Sequence, residues 1–471
     1  MFNATVYAER REKLKKSLGS GLVLFLGNEE SSINFKDNWY HFRQDSNFLY
    51  FFGLSLPGLA AVIDVDNDKT TIYGDDLSID AIVWTGPQPT IAALASRSGV
   101  RHTGTVKDLT LLLSGASQGA QKIHYLPPYR PENSLKLSAW LEMDQQTVSK
   151  GHSIPLIKAI VSQRSYKSEL EITEINKAVD ITADMHLAAM TLVAEGKKEV
   201  EIVGALHEVA IGAGGQLSFP VIFTKNGQIL HNHYHGNMLQ NGDLVLVDCG
   251  AETTSGYAGD MTRTFPVDDH FTTRQKELYE IVVNAHDTAV KALAPGIPFR
   301  EVHLTACKAL TEGLKGAGLM TGDVDEAVAA GAHTMFFQCG LGHMMGLDVH
   351  DMEDLGEQYV GYTETMKKST AFGLKSLRLG RALEPGFVLT IEPGIYIIPE
   401  LIDLWKSDNK HAAFINYEKL ESYRDFGGIR VEEDFLITES GARLLGKPVP
   451  KTVAEVEKTR VESKGQLSPN F

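Results

Sequence analysis

The chain of 471 residues contains only three cysteines, Cys249, Cys307 and Cys339, and no two of them form a Cys-x-x-Cys pair. That excludes a disulfide framework and the thiolate clusters of zinc ribbons, and it makes a reducing compartment, the cytoplasm, the expectation. Apolar runs of about 18 residues, enough to cross a bilayer, are missing. The first stretch, MFNATVYAERREKLKKSLGSG, is charged and periodic, without the apolar heart of a signal peptide. No block of lysine and arginine interrupts a formal charge of −15, so neither nucleic acid nor a membrane is expected as a partner. Low-complexity tracts and solenoid repeats are absent as well. What remains is 43% hydrophobic and 22% charged, a globular composition at a length that exceeds one ordinary core, so two domains are expected.

Five compact phrases carry the chemistry: LVLVDCG, YAGDMTRTFP, GLGHMMGLDVHD, LTIEPGIY and GGIRVEED. In order they supply Asp248, Asp260, His343, Glu392 and Glu432, one imidazole and four carboxylates. Four carboxylates brought together would repel and take up protons unless shared between two divalent cations. Oxygen-rich ligands with a single imidazole suit manganese first, with cobalt or zinc as alternatives. Two of the phrases also match each other. In NGDLVLVDCG and EPGFVLTIEPG, Gly242 and Gly386 precede short apolar runs that end in Asp248 and Glu392, and Gly250 and Gly394 follow. Each run reads as a buried strand stopped by glycine, and the repetition predicts internal two-fold symmetry. An acid closing a core strand costs several kcal/mol, roughly, unless a cation waits there. The bland alternative for any one of these acids is a buried salt bridge.

Residues 1–155 alternate a helix (Ala8–Leu18) with apolar β runs such as GLVLFLG and LAAVIDV, the pattern of an α/β domain. From Ser168, SELEITEINKAVDITADMHLAAMTLVAEG has the acidic start, the apolar spacing and the terminal glycine of a long amphipathic helix, which opens a second domain over 156–471. Other motifs compete weakly. GASQG at 115–119 has the letters of a serine nucleophile elbow, but that turn requires a strand before Ser117 and a helix after it. GAGGQ at 212–216 lacks the spacing of a dinucleotide loop. HNHYH sets His231, His233 and His235 on one face of an extended chain, an alternative zinc site.

GYAGDMTRTFPV, GLGHMMGLDVHD, LTIEPGIYI and GGIRVEEDFLIT together resemble the signature segments of the proline-specific metallopeptidases of the pita-bread fold, aminopeptidase P and prolidase. FRQDSNFLYFFGL at 42–54 is similar to a segment of that family's N-terminal domain, whereas residues 70–150 match little. The resemblance implies an α/β N-terminal domain and an α+β pita-bread catalytic domain with pseudo-two-fold symmetry. It implies a dinuclear Xaa-Pro aminopeptidase in which a metal-bridging hydroxide attacks the bond before proline in peptides with proline second. An Xaa-Pro dipeptidase is the alternative, and a non-catalytic peptide-binding protein on the same fold a remote one. By the same resemblance Asp248 and His343 are ligands to different metals, Asp260 and Glu432 bridge them, and Glu392 is a ligand close to the attacking water. His231 lies near the scissile bond, His350 binds the substrate carbonyl, and Arg378 and Arg430 help hold the substrate. A homo-oligomer is expected. Two features depart from the family pattern: Cys339 replaces the usual histidine before GLGH, and the spacing from Asp248 to Asp260 is one residue longer, absorbed at ETTSG (252–256). Segments 351–377 and 399–425 are expected to project as loops.

Overall fold

The computed structural model describes residues 1–119 and 121–466. Packing divides them into two units, Met1–Arg164 with Met352–Tyr359, and Ser165–Asp351 with Val360–Phe471. The helix Ile154–Arg164 thus falls in the first unit, whereas the sequence places the domain change at 155/156. No described helix is long and apolar enough to cross a membrane.

The first unit is built on a five-stranded sheet. Its strands are β1 (Leu22–Leu26), β2 (Ala60–Asp64), β3 (Lys69–Tyr73), β4 (His102–Gly104) and β5 (Ile123–His124), in the order β4-β3-β2-β1-β5. β1, β2 and β3 are antiparallel neighbours, and β4 and β5 flank them in parallel. Leu22 and Leu24 of β1 and Ala60 and Val62 of β2 pack with Leu109, Leu113 and Leu137 from the covering helices. The phrase RQDSNFLYFFG becomes the buried helix Ser46–Phe52, capped by Asp45 and stopped by Gly53 in the left-handed region. GASQG ends the helix Val106–Gln118 and has no strand before it, so the nucleophile-elbow reading fails on its structural requirement.

The second unit repeats one plan twice. Its first half opens with the helix Glu169–Leu192, where Ser168 and Glu171 form a capping box, followed by the helix Glu199–Gly212. Its second half opens with Thr273–Lys291, capped in the same manner by Thr272 and Gln275, followed by Phe299–Gly316. The connections match atom for atom. Gly196 N–H donates to Leu239 O at 2.9 Å and Gly296 N–H to Leu383 O at 2.8 Å, while Leu239 N–H and Leu383 N–H return to Lys197 O and Ile297 O. Gly242 and Gly386 then take left-handed φ of 91° and 92°, which turns each chain into its central strand. In the first half these strands are β6 (Gln216–Leu217), β7 (Ile222–Thr224), β8 (Leu244–Cys249), β9 (Ala251–Glu252) and β10 (Met261–Pro266). In the second they are β11 (Val388–Ile391), β12 (Gly394–Tyr396), β13 (Gly428–Arg430), β14 (Glu433–Thr438) and β15 (Gly441–Leu444). Two antiparallel sheets result, β10-β8-β7 and β11-β14-β15, with the pairs β6-β9 and β12-β13 beside them. Among the described residues one isolated bridge, Thr262 to Glu432, joins the halves, so the two sheets meet at their acidic ends.

The segment 399–425 is not a bare loop. Pro399–Ser407 is a helix with proline in its first turn, and Ile402 and Trp405, three apart, bury one face; Tyr417–Glu421 is a second, short helix. Within 351–377 only short turns of helix form, at Glu353–Leu355, Glu357–Val360 and Leu374–Ser376.

Candidate metal centre

Strand register brings the acids together. In β8 Asp248 stands opposite Thr262 of β10, and Thr262 stands opposite Glu432 just ahead of β14, so Asp248, Thr262 and Glu432 lie in one row across the joined sheets. Asp260 immediately precedes β10 and Glu392 immediately follows β11. Alternation along the chain then sorts the three acids of VEED. Glu432 accepts from Thr262 Oγ1 at 2.7 Å and Asp434 accepts from Asp260 N–H at 3.1 Å, while Glu433 points away and pairs with Arg263 and Lys451. His343 arrives on a loop laid flush against β11. A side chain on Gly342 would meet Thr390 O at 2.0 Å, and Thr390 N–H donates to His343 O at 3.0 Å.

Asp260, His343 and Glu432 each offer a ligand atom, all within 4.8 Å of one another. His343 Nε2 is 3.4 Å from Asp260 Oδ2 and 3.7 Å from Glu392 Oε1, and its Nδ1 faces Met344 O at 3.1 Å, which turns Nε2 toward the acids. Asp248 is paired with the Arg430 guanidinium. All five residues named from the sequence thus converge, and HNHYH does not: among the described residues the triads of ligand atoms are this one and His303, Cys307 and His333.

The electrostatics are those of a site that calls for cations. Burial pushes the Asp260 carboxyl up to about 8, and Asp248 adds to the shift. Burial also raises Glu392 to about 7, with Asp260 and Asp248 adding and His343 and Arg430 opposing. Glu432 is driven well above the carboxylate range by burial, then by Asp260, Glu392 and Asp248. Asp248 Oδ1 and Asp260 Oδ1 are buried without a hydrogen-bond partner. Uncompensated, such oxygens are costly, and divalent cations coordinated by this donor set would satisfy them.

The remaining residues named from the sequence surround this cluster. The His350 ring lies edge-on to His343 with centroids 4.3 Å apart. His231 is exposed, and partial burial of its ring depresses its pKa; Asp248 opposes that, while Arg430, Arg378 and His350 add to it, so these groups share one electrostatic neighbourhood. Arg378 is half-buried. Arg430 is engaged within the cluster: its Nε donates to Thr262 Oγ1 at 3.0 Å, its Nη1 to Tyr396 Oη at 3.0 Å, and its Nη2 to Asp248. A guanidinium so engaged orients Asp248.

Sequence reasoning passed over Thr262, Tyr396 and Asp434, although each lies inside a quoted phrase. Period-two alternation from Glu432 is the signal that could have found Asp434, whose own carboxyl is held well above the usual range by burial and by Asp260. Cys339 is half-buried with its thiol 4.0 Å from Tyr396 Oη, and burial pushes that thiol up to about 12, with Glu392 adding.

Comparison with known proteins agrees with this geometry. Residues 173–439 match the model of metallopeptidase family M24, and residues 7–124 match that of the aminopeptidase P N-terminal domain. The chain is 33% identical to the Xaa-Pro dipeptidase of Homo sapiens over 95% of its own length and 90% of the relative's. It is 30% identical to the Xaa-Pro aminopeptidase of Escherichia coli strain K12 over 98% of both. Among solved structures, Pseudomonas aeruginosa aminopeptidase PepP superposes with a TM-score of 0.82 at 27% identity, covering 99% of each chain.

Proposed function

The chain belongs to metallopeptidase family M24, and from that footing we propose that it is an Xaa-Pro aminopeptidase, releasing the first residue of peptides whose second is proline. The observation that carries the proposal is the convergence of Asp260, His343 and Glu432, with Glu392 3.7 Å from His343 Nε2 and Asp248 in the same strand row. Asp248, Asp260, His343, Glu392 and Glu432 would hold two divalent ions, manganese by the hardness of the donors, with cobalt or zinc as substitutes. When bound, such ions acidify a water and polarise the scissile carbonyl.

The protein's own groups do the rest. A bond to proline is a tertiary amide without an N–H, so recognition by strand pairing loses one hydrogen bond and the prolyl nitrogen must gain a proton to leave. Glu392, beside His343 in the cluster, would take a proton from water and pass it to that nitrogen. His350, edge-on to His343, would donate toward the developing oxyanion, with His231 beside the scissile bond. Thr262 holds Glu432, and Arg430 holds Asp248, so the carboxylates keep their aim when substrate enters. Arg378, in the electrostatic neighbourhood of His231, would meet substrate.

The human dipeptidase relative keeps a second reading open, Xaa-Pro dipeptidase, in which Arg378 grips the carboxylate of the released proline. Hydrolysis of Xaa-Pro against Xaa-Pro-Yaa-Zaa by metal-reconstituted protein decides between them. We expect the longer peptides to be cleaved at least as well; cleavage of dipeptides alone would make the chain a dipeptidase. We also propose a cytoplasmic enzyme, supported by three free cysteines. Self-association is supported by the helix Ile79–Thr85, which buries no residue and leaves Trp84 88% exposed; sedimentation checks it.

A further inference from the structure

A second cluster of ligating side chains lies outside the candidate peptidase centre. His303 and Cys307 sit four residues apart on one face of the helix Phe299–Gly316, and His333 faces them from the 3-10 turn Ala332–Met335. One nitrogen of each imidazole and Cys307 Sγ lie within 4.8 Å of one another, and all three residues are buried, at 2%, 0% and 3% exposure.

We propose that His303, Cys307 and His333 form a separate site for a borderline-soft cation, zinc, whose ligands differ in kind from those of the peptidase centre. The geometry supports it first. Cys307 Sγ is 3.4 Å from His303 Nε2, close to the edge of about 3.5 Å that a tetrahedral zinc spans with bonds of roughly 2.3 Å to sulfur and 2.0–2.1 Å to nitrogen. An unsatisfied nitrogen supports it next. His333 Nδ1 is buried with no hydrogen-bond partner, and a cation bonded there would satisfy it. The donor set is the third support. Two imidazoles and a thiolate rank zinc above manganese, whereas one imidazole and four carboxylates tolerate manganese, so the two sites would sort a mixture of these ions. On binding, the Cys307 thiol loses its proton to solvent as sulfur joins the cation. Three protein ligands leave a fourth position for water.

The cluster is also well placed to matter. The turn carrying His333 runs on through Phe336, whose carbonyl accepts from Tyr396 N–H at 2.8 Å, and Leu341, whose carbonyl accepts from Glu392 N–H at 2.7 Å, to His343. A cation at His333 would therefore brace the segment that delivers a ligand to the peptidase centre.

The inference does not rest on the peptidase reading, and cobalt separates the two. Among the five carboxylate-centre ligands there is no thiolate, so a sulfur-to-cobalt charge-transfer band in the near ultraviolet reports a cysteine ligand alone. We expect this band in cobalt-loaded protein, its persistence in Cys339→Ser and in Glu432→Gln, and its loss in Cys307→Ala. Zinc titration should give one equivalent more for the intact protein than for Cys307→Ala, or at least a tenfold weaker last equivalent in the variant. No band in the intact protein, or a band lost in Cys339→Ser and kept in Cys307→Ala, overturns the proposal. Should Cys307→Ala fail to fold, the band in the intact protein and in Glu432→Gln still decides.

Discussion

The two halves of the catalytic unit have the same frame and unlike contents. Each runs from a helix pair whose first helix is capped, through a glycine at φ near 90°, into a central strand with an acid at its end region, yet Asp248 meets a guanidinium while Glu392 meets an imidazole. Asp248 is the shorter side chain and is pinned by Arg430 from the opposite half. Glu392 is longer, its side chain 19% exposed, and in the metal-free protein burial raises its carboxyl to about 7 against the opposing pull of His343 and Arg430. Symmetry of the backbone thus puts two acids at related strand ends, and the partner each one meets gives the two carboxylates different surroundings.

The largest effect expected from breaking this pattern is at the shared seam. Asp260→Asn or Glu432→Gln should leave a folded chain that has lost at least one metal and nearly all turnover, read by elemental analysis beside peptide hydrolysis. Full metal content with a normal rate would remove these residues from the centre. Next comes the guanidinium that distinguishes Asp248 from Glu392. Arg430→Met strands a buried carboxylate and should cost about 3–5 kcal/mol in the metal-free protein by denaturant titration, and clearly less once metal is bound. An equal loss with and without metal would mean that Arg430 supports the fold and not the ligand.

His350→Ala should lower the rate by roughly two to three orders of magnitude, the scale of one lost oxyanion donor, with metal content unchanged. His343→Ala should instead empty a metal position, and the reverse outcome would exchange the two roles. A pH experiment sharpens the contrast further. Asp260 and Glu392, raised to about 8 and about 7, hold protons in the metal-free protein below those values, so metal binding must release them. Apparent metal affinity should therefore rise as pH climbs from about 6 to 8, with proton release fading above that, as calorimetry in buffers of different ionisation enthalpy would record. The sign for stability is the opposite. Carboxyls whose folded pKa lies above the unfolded value make the metal-free fold lose stability as pH rises from about 4 to 8. The smallest effect tests the frame itself. Gly242→Ala and Gly386→Ala each force a Cβ into left-handed backbone without a close clash, so each should cost about 1 kcal/mol, and nearly the same amount. A severalfold difference in thermal denaturation would show that the two turns are less alike than their φ values.

By itself the sequence determined the local elements and the inventory of the centre. The helix begins after Ser168 as its acidic start predicts, the runs before Asp248 and Glu392 are strands, and the five candidate ligands lie in phrases short enough for spacing to be informative. These features depend on neighbours within a few residues, where capping, alternation and glycine turns act. Even there one local signal went unread: proline followed by Ile402 and Trp405 marks a helix in a stretch taken for a loop. Only the tertiary structure decided who partners whom. Arg430 reaches Asp248 across 182 positions and Asp434 backs Asp260 across 174, pairings that follow from the register of two sheets joined at Thr262 and Glu432. His303, Cys307 and His333 carry no motif linking them across the thirty positions from His303 to His333. Their meeting, like the assignment of Arg430 to Asp248, comes from long-range packing, because burial and charge pairing act between groups that only the fold brings into contact.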